Sequence, residues 1–206
     1  MKDVSVTDII DQKRRCFLRR ATTVVGGVGL AAAAVPFVSY WLPSADTEAA
    51  AEPIKIDISK VKPREQLTVP WRSMPIWIIR RDPEMLASLG KLTNTLRDPL
   101  SEYDQQPDYC KNVHRSIKPE FYISIGICTH LGCVPTYRPD VASVDPNWLG
   151  GFYCPCHGSK YDLAGRVYKD VPAPLNLKIP RHMYMRDTEI LVGQDAEGVE
   201  GSISIS

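Results

Sequence analysis

The chain has 206 residues, and its 25 basic side chains almost balance its 24 acidic ones, for a formal net charge of +1. Such a balance leaves no general basic field, which excludes nucleic acid as a partner. The length is ample for a domain with its own core, and the six cysteines are where its chemistry is concentrated.

Residues 1–20 are polar and carry Lys13, Arg14, Arg15, Arg19 and Arg20, whereas residues 21–42 contain no charge at all. At 1.5 Å per helical residue that stretch reaches about 33 Å, against a hydrocarbon core of roughly 30 Å. One transmembrane helix is predicted. The basic residues before it put the N-terminus in the cytoplasm of a bacterial cell, Tyr40 and Trp41 fall at an outer aromatic belt, and the rest of the chain faces the periplasm across the inner membrane. Gly26, Gly27 and Gly29 suit close packing in a membrane, and Pro36 is a candidate kink. Arg14-Arg15-Cys16-Phe17-Leu18-Arg19 resembles a twin-arginine export signal, with Lys13 where Ser or Thr is common and Arg19 in place of Lys. A cleaved signal peptide is the competing reading, and the length of the apolar run favours retention. Residues 43–53, with three consecutive alanines among polar residues, read as a linker.

After the linker, residues 54–58 alternate strictly as a strand with one buried face. Strands are predicted over 66–71 and 75–80, then a short helix over 83–92 that starts at Asp82 and ends near Gly90. Residues 93–119 look irregular. Strand signals return at 121–127, at 151–153, at 159–162 and 166–168 around a Leu163-Ala164-Gly165 turn, and at 177–179, 183–186 and 189–192. The fold class is therefore an all-β antiparallel head of about 150 residues, with a small subdomain over about 127–174 inserted into a larger base domain over 54–206.

Two of those strand signals lead into C-T-H-L-G-C, containing Cys128, His130 and Cys133, and C-P-C-H-G-S, containing Cys154, Cys156, His157 and Ser159. Two thiolates with two imidazoles can close a tetrahedral zinc site or hold a [2Fe-2S] cluster with cysteines on one iron and histidines on the other. Cys133 and Cys156, one in each loop, suggest a disulfide tying the two loops, since a zinc site would more simply use all four thiols; zinc remains the alternative. Ser159 and Tyr161, two apart on a strand, direct both hydroxyls to the same face, that of the metal; alternatively Tyr161 is an ordinary strand aromatic with its hydroxyl in solvent. Leu131, Gly132, Pro155 and Gly158 read as turn geometry. His114 and His182 read as satisfied polar residues, and Cys16 and Cys110 as free thiols on opposite sides of the membrane.

The paired motifs, the linker before them and the Val171-Pro172-Ala173-Pro174 run after them resemble the respiratory Rieske iron-sulfur proteins of cytochrome bc1 complexes, over essentially the whole chain. That resemblance implies a Rieske-type antiparallel β-sandwich holding one [2Fe-2S] cluster per subunit. By it, Cys128 and Cys154 bind the inner iron, His130 and His157 the outer iron, and Cys133 pairs with Cys156. Ser159 and Tyr161 donate to a bridging sulfide and a ligand sulfur, which raises the potential. His157, with His130 as second candidate, accepts a hydrogen bond from ubiquinol and takes a proton with the electron, which passes to cytochrome c1. Ubiquinol-cytochrome c reductase activity belongs to the whole complex, so the implied partners are cytochrome b, cytochrome c1, ubiquinol and the lipid bilayer within a dimeric complex. Leu131 forms an apolar tip toward cytochrome b, residues 43–53 act as a hinge, and the proline run covers the cluster from a third side. Many members have Gly where this chain has Val171, so a left-handed backbone there would be costly. The alternatives are a small subunit of another oxidoreductase, such as an arsenite-oxidase-type enzyme, and a structural zinc module.

Overall fold

The computed structural model describes residues 6–42, 44 and 52–196, with side chains from residue 12 onward. The chain divides into two units, Met1–Ala49 and Ala50–Ser206. Most of the 43–53 linker lies outside the described residues.

Among its described residues the first unit holds one helix, α1 (Val6–Ser39). It begins well before the charge-free stretch, because the basic segment is also rich in good helix formers and nothing interrupts the backbone ladder between them. Thr22 and Thr23 donate their hydroxyls to the carbonyls of Leu18 and Arg19 at 2.8 and 2.9 Å, so these polar groups are satisfied within the helix itself. Gln12–Ser39 is long and apolar enough to cross a membrane, and Tyr40 and Trp41 follow directly as exposed side chains.

Among its described residues the second unit contains nine strands: β1 (Ile54–Asp57), β2 (Gln66–Trp71), β3 (Met74–Arg80), β4 (Phe121–Ile125), β5 (Thr136–Arg138), β6 (Gly151–Tyr153), β7 (Lys160–Tyr161), β8 (His182–Arg186) and β9 (Glu189–Val192). They form three antiparallel sheets in the orders β1-β9-β8, β2-β3-β4 and β5-β6-β7. The all-β expectation holds, and the period-2 geometry of β3 and β4 explains how three small sheets share one body. Ile76, Ile78, Ile123 and Ile125 project to one side and pack with Ile56, Ile190 and Val192 of the first sheet. Trp77, Ile79 and Tyr122 project to the other side and pack with Phe152 and Tyr161 of the third. Strands β3 and β4 of the middle sheet are thus buried on both faces. Trp77 stacks on Phe152 with ring centroids 5.0 Å apart, and a Cβ at Gly126 would overlap the Trp77 ring, so only glycine fits there.

Asp82 caps the second helix, α2 (Pro83–Leu89), by accepting from the Met85 amide at 2.8 Å. This helix stops three residues short of the predicted 92. From Gly90 to Thr95 the chain tightens into a 3-10 helix, where Thr93 and Thr95 hydroxyls bond back to the carbonyls of Gly90 and Leu92. Strand β5 was not predicted, since Pro135 and Pro139 bracket it and read as turn signals. The predicted strand at 177–179 is not part of a ladder. Leu177 N–H goes to Gly165, the Lys178 carbonyl takes Ile125 N–H, and Ile179 N–H goes to Gln105, so three different segments share its backbone bonds. Residues 166–168 make isolated bridges only, Tyr161 to Val167 and Leu96 to Tyr168.

Three buried arginines fix the Leu163-Ala164-Gly165 turn on the base of the fold. Arg81 donates to the carbonyls of His114, Pro119 and Leu163 and to Ser116 Oγ. Arg115 donates to the carbonyls of Ala164, Gly165 and Leu177 and to Gln106 Oε1. Arg166 pairs with Asp162, both essentially without solvent access, and donates to the carbonyl of Leu89. Burial lowers the pKa of Arg81 to about 10, which leaves it charged at neutral pH.

Candidate metal centre

The two cysteine-histidine loops have the same backbone geometry despite their different spellings. Cys128 N–H donates to the Cys133 carbonyl at 2.7 Å and Gly132 N–H donates back to Cys128 at 3.1 Å; Cys154 N–H donates to Ser159 at 2.8 Å and Gly158 N–H to Cys154 at 3.0 Å. In each loop the residue four after the cysteine must turn left-handed, and Gly132 and Gly158 do so with φ of 79° and 77°. The turn-geometry reading of these glycines holds.

The fold brings the two loops together. Cys133 and Cys156 form a disulfide across them. Cys128 and Cys154 are buried with their thiols in contact, while His130 is half-buried and His157 exposed, their rings 4.8 Å apart and near perpendicular at 87°. The four residues therefore grade from a buried sulfur end to a solvent-facing imidazole end. Around that end Leu131 and Val134 are exposed at 70% and 56%.

Tyr161 lies under the first loop, fully buried, with its hydroxyl 3.2 Å from Cys128 Sγ and accepting from Thr129 N–H at 3.1 Å. The solvent-facing alternative for this tyrosine is excluded. Thr129 donates its own hydroxyl to the Leu175 carbonyl at 2.7 Å, so in its 3.2 Å contact with Tyr161 it can only accept. Burial raises the Tyr161 phenol pKa, with the Cys128 contact acting in the same direction, and the phenol stays protonated. Ser159 is also buried, and its Oγ accepts from Ala173 N–H at 3.0 Å. The proline run thus closes on both loops, through Ala173 to Ser159 and through Leu175 to Thr129. Val171 does not have a positive φ; the left-handed residue is its neighbour Asp170, at φ 56°. Thr129 and Asn176 were not singled out from the sequence. Thr129 at least lies inside the first motif, whereas Asn176 carries no local signal.

Burial pushes the Cys154 thiol up, opposed by the backbone N–H groups of Cys156 and His157 that point at its sulfur. A site of this kind holds thiolates only when a metal supplies the balancing charge. The sulfurs of Cys133, Cys154 and Cys156 lie within 4.8 Å of one another, but two of these are joined to each other and cannot donate as thiolates. The available donors are two thiols and two imidazoles, a set that fits a cysteine- and histidine-held [2Fe-2S] group. His114 and His182 lie elsewhere. His182 is buried with Nδ1 2.8 Å from the Pro180 carbonyl.

A family model described as Rieske [2Fe-2S] domain matches residues 105–181, and one described as Ubiquitinol-cytochrome C reductase Fe-S subunit TAT signal matches residues 7–44. The chain is 56% identical over 188 residues to the ubiquinol-cytochrome c reductase iron-sulfur subunit of Allochromatium vinosum, covering 90% of this chain and 91% of that one. It is 38% identical over 184 residues to the subunit of the same name from Rhodospirillum rubrum, covering 89% and 93%. Identity to that of Cereibacter sphaeroides is 40% over 187 residues, covering 87% and 95%.

Proposed function

From its membership of the family of ubiquinol-cytochrome c reductase iron-sulfur subunits, with their Rieske [2Fe-2S] centre and electron-transfer role in the bc1 complex, we propose which residues of this chain do the work. Cys128 and Cys154 hold the cluster from the buried side and His130 and His157 from the exposed side. The group so held supplies a one-electron acceptor between ubiquinol and cytochrome c1. Everything else is done by the chain's own side chains. The disulfide and the two glycine turns hold the loops at fixed separation, so the site changes charge without changing shape. Tyr161 directs its hydroxyl at Cys128 Sγ and Ser159 its hydroxyl into the site, and both favour the more negative reduced state. His157, the more exposed imidazole, accepts the hydrogen bond of a quinol hydroxyl and takes its proton, with His130 as the second acceptor. The exposed Leu131 meets cytochrome b beside it.

The apolar helix anchors the chain to a membrane. Its basic N-terminal segment supports a cytoplasmic N-terminus and a periplasmic head. The twin-arginine motif agrees with export of a folded, cluster-bearing domain through the inner membrane.

The observation that carries this reading is the gradient from buried thiols to exposed imidazoles within one disulfide-tied pair of loops. An EPR-monitored redox titration of the purified protein at several pH values tests it. A high-potential [2Fe-2S] signal whose midpoint falls as pH rises is expected. A low midpoint independent of pH would point to a simple electron carrier and overturn the quinol-oxidant role, and the absence of an iron signal would overturn the ligand assignment.

A further inference from the structure

The proline run closes on the metal loops through Ala173 and Leu175, and it is also attached to residues outside them. Within residues 171–175, Pro172 and Pro174 have no amide hydrogen and fixed φ, so Ala173 holds the one N–H between Val171 and Leu175. A segment stiffened in this way behaves as a short lever: where its ends are placed decides where the Ala173 amide points. Both ends are tied to one stretch, residues 97–101. At the first end, the exposed Arg97 donates a guanidinium N–H to the Val171 carbonyl at 3.3 Å and its backbone N–H to Val167 at 2.9 Å. At the second, the buried Asn176 accepts Val167 N–H at 2.8 Å and donates to the Asp98 carbonyl at 3.0 Å. Asp98 in turn is held by accepting the backbone N–H groups of Glu102 and Tyr103.

We propose that Arg97 and Asn176 are positioning residues for Ser159: by pinning the two ends of the proline run they hold Ala173 N–H on Ser159 Oγ and so aim the serine hydroxyl at the cluster. A hydroxyl has one proton and two acceptor sites. With Ala173 N–H occupying one acceptor site at 3.0 Å, the rotation of the hydroxyl is restricted and its proton is left for the metal side. Freed from that amide, the hydroxyl can turn, and the cluster loses part of a donor that favours its reduced form. This inference rests on the role assigned to Ser159 above.

The test uses the full, cluster-loaded protein with Ser159→Ala, Asn176→Ala, Arg97→Gln and each of the last two combined with Ser159→Ala. Midpoint potentials are read by EPR titration, and hydrogen exchange is followed by mass spectrometry in the peptide containing Ala173. Ser159→Ala lowers the midpoint. Asn176→Ala and Arg97→Gln lower it in the same direction by less, their effect disappears in the Ser159→Ala background, and the Ala173 amide exchanges roughly fivefold to tenfold faster. If Asn176→Ala does not fold, the surface variant Arg97→Gln carries the test. A midpoint lowered by Ser159→Ala but untouched by the other two variants overturns this inference alone, as does a shift that persists in the double variants. An unchanged midpoint in Ser159→Ala overturns the assigned role of Ser159 and this inference with it.

Discussion

Replacing Tyr161 by Phe removes one oxygen from a fully buried site and leaves the ring that packs against Phe152 and Val167. The tyrosine hydroxyl accepts from Thr129 N–H, and its single proton faces Cys128 Sγ and Thr129 Oγ1, each at 3.2 Å. Once Cys128 is a metal-bound thiolate, the charge on sulfur draws that proton toward it. A hydrogen bond to a charged group contributes about 1.5–3 kcal/mol, and part of that is common to both oxidation states. A differential of about 1–2 kcal/mol favouring the reduced state corresponds to about 40–90 mV for a one-electron couple. Tyr161→Phe should therefore lower the midpoint by that amount while the EPR signal shows the cluster assembled. It should also cost about 1 kcal/mol of stability, because the part-buried Thr129 N–H loses its partner. A variant with an assembled cluster and an unshifted midpoint would refute the argument that this hydroxyl donates to the ligand sulfur.

Three further outcomes follow from other parts of the fold. Cys133 and Cys156 close a loop with a sequence separation of 23, so replacing both by Ala should cost roughly 3 kcal/mol on the chain-entropy estimate, and should appear as earlier thermal loss of the visible cluster absorbance. Arg166→Leu strips the buried Asp162 carboxylate of its partner and should cost about 3–5 kcal/mol in denaturant unfolding, whereas breaking a solvent-exposed pair such as Lys118–Asp187 should leave the unfolding midpoint unchanged. His182 is buried and its pKa is lowered by desolvation, so the unfolded chain takes up its proton near pH 6.5 while the folded chain does not. Stability should then be complete above about pH 6.5 and fall as pH drops toward the lowered folded value. Comparing the urea midpoint of the protein with that of His182→Gln between about pH 5 and 7.5 should show a shallower slope in the variant, and equal slopes would contradict this account.

Much of this protein is determined by local sequence. Donor identity and spacing in the two motifs specify loops whose glycines must turn left-handed at the fourth position after a cysteine, because backbone geometry is a short-range property. Alternation marks the strand at 54–58 for the same reason, and the charge-free run marks the apolar helix by length and composition alone. Other features needed the tertiary structure. Strand β5 is three residues between prolines, and residues 177–179 give their backbone bonds to three distant segments, so neither follows from a local pattern. The sequence suggests a Cys133–Cys156 disulfide from one cysteine left over in each loop, and the fold forms it by bringing the two loops face to face. Thr129 and Asn176 look unremarkable in one dimension. They matter because the proline run, Tyr161 and residues 97–101 converge on them, and convergence of segments some 75 residues apart, as between Asn176 and Asp98 with a separation of 78, depends on packing that no local window of sequence contains.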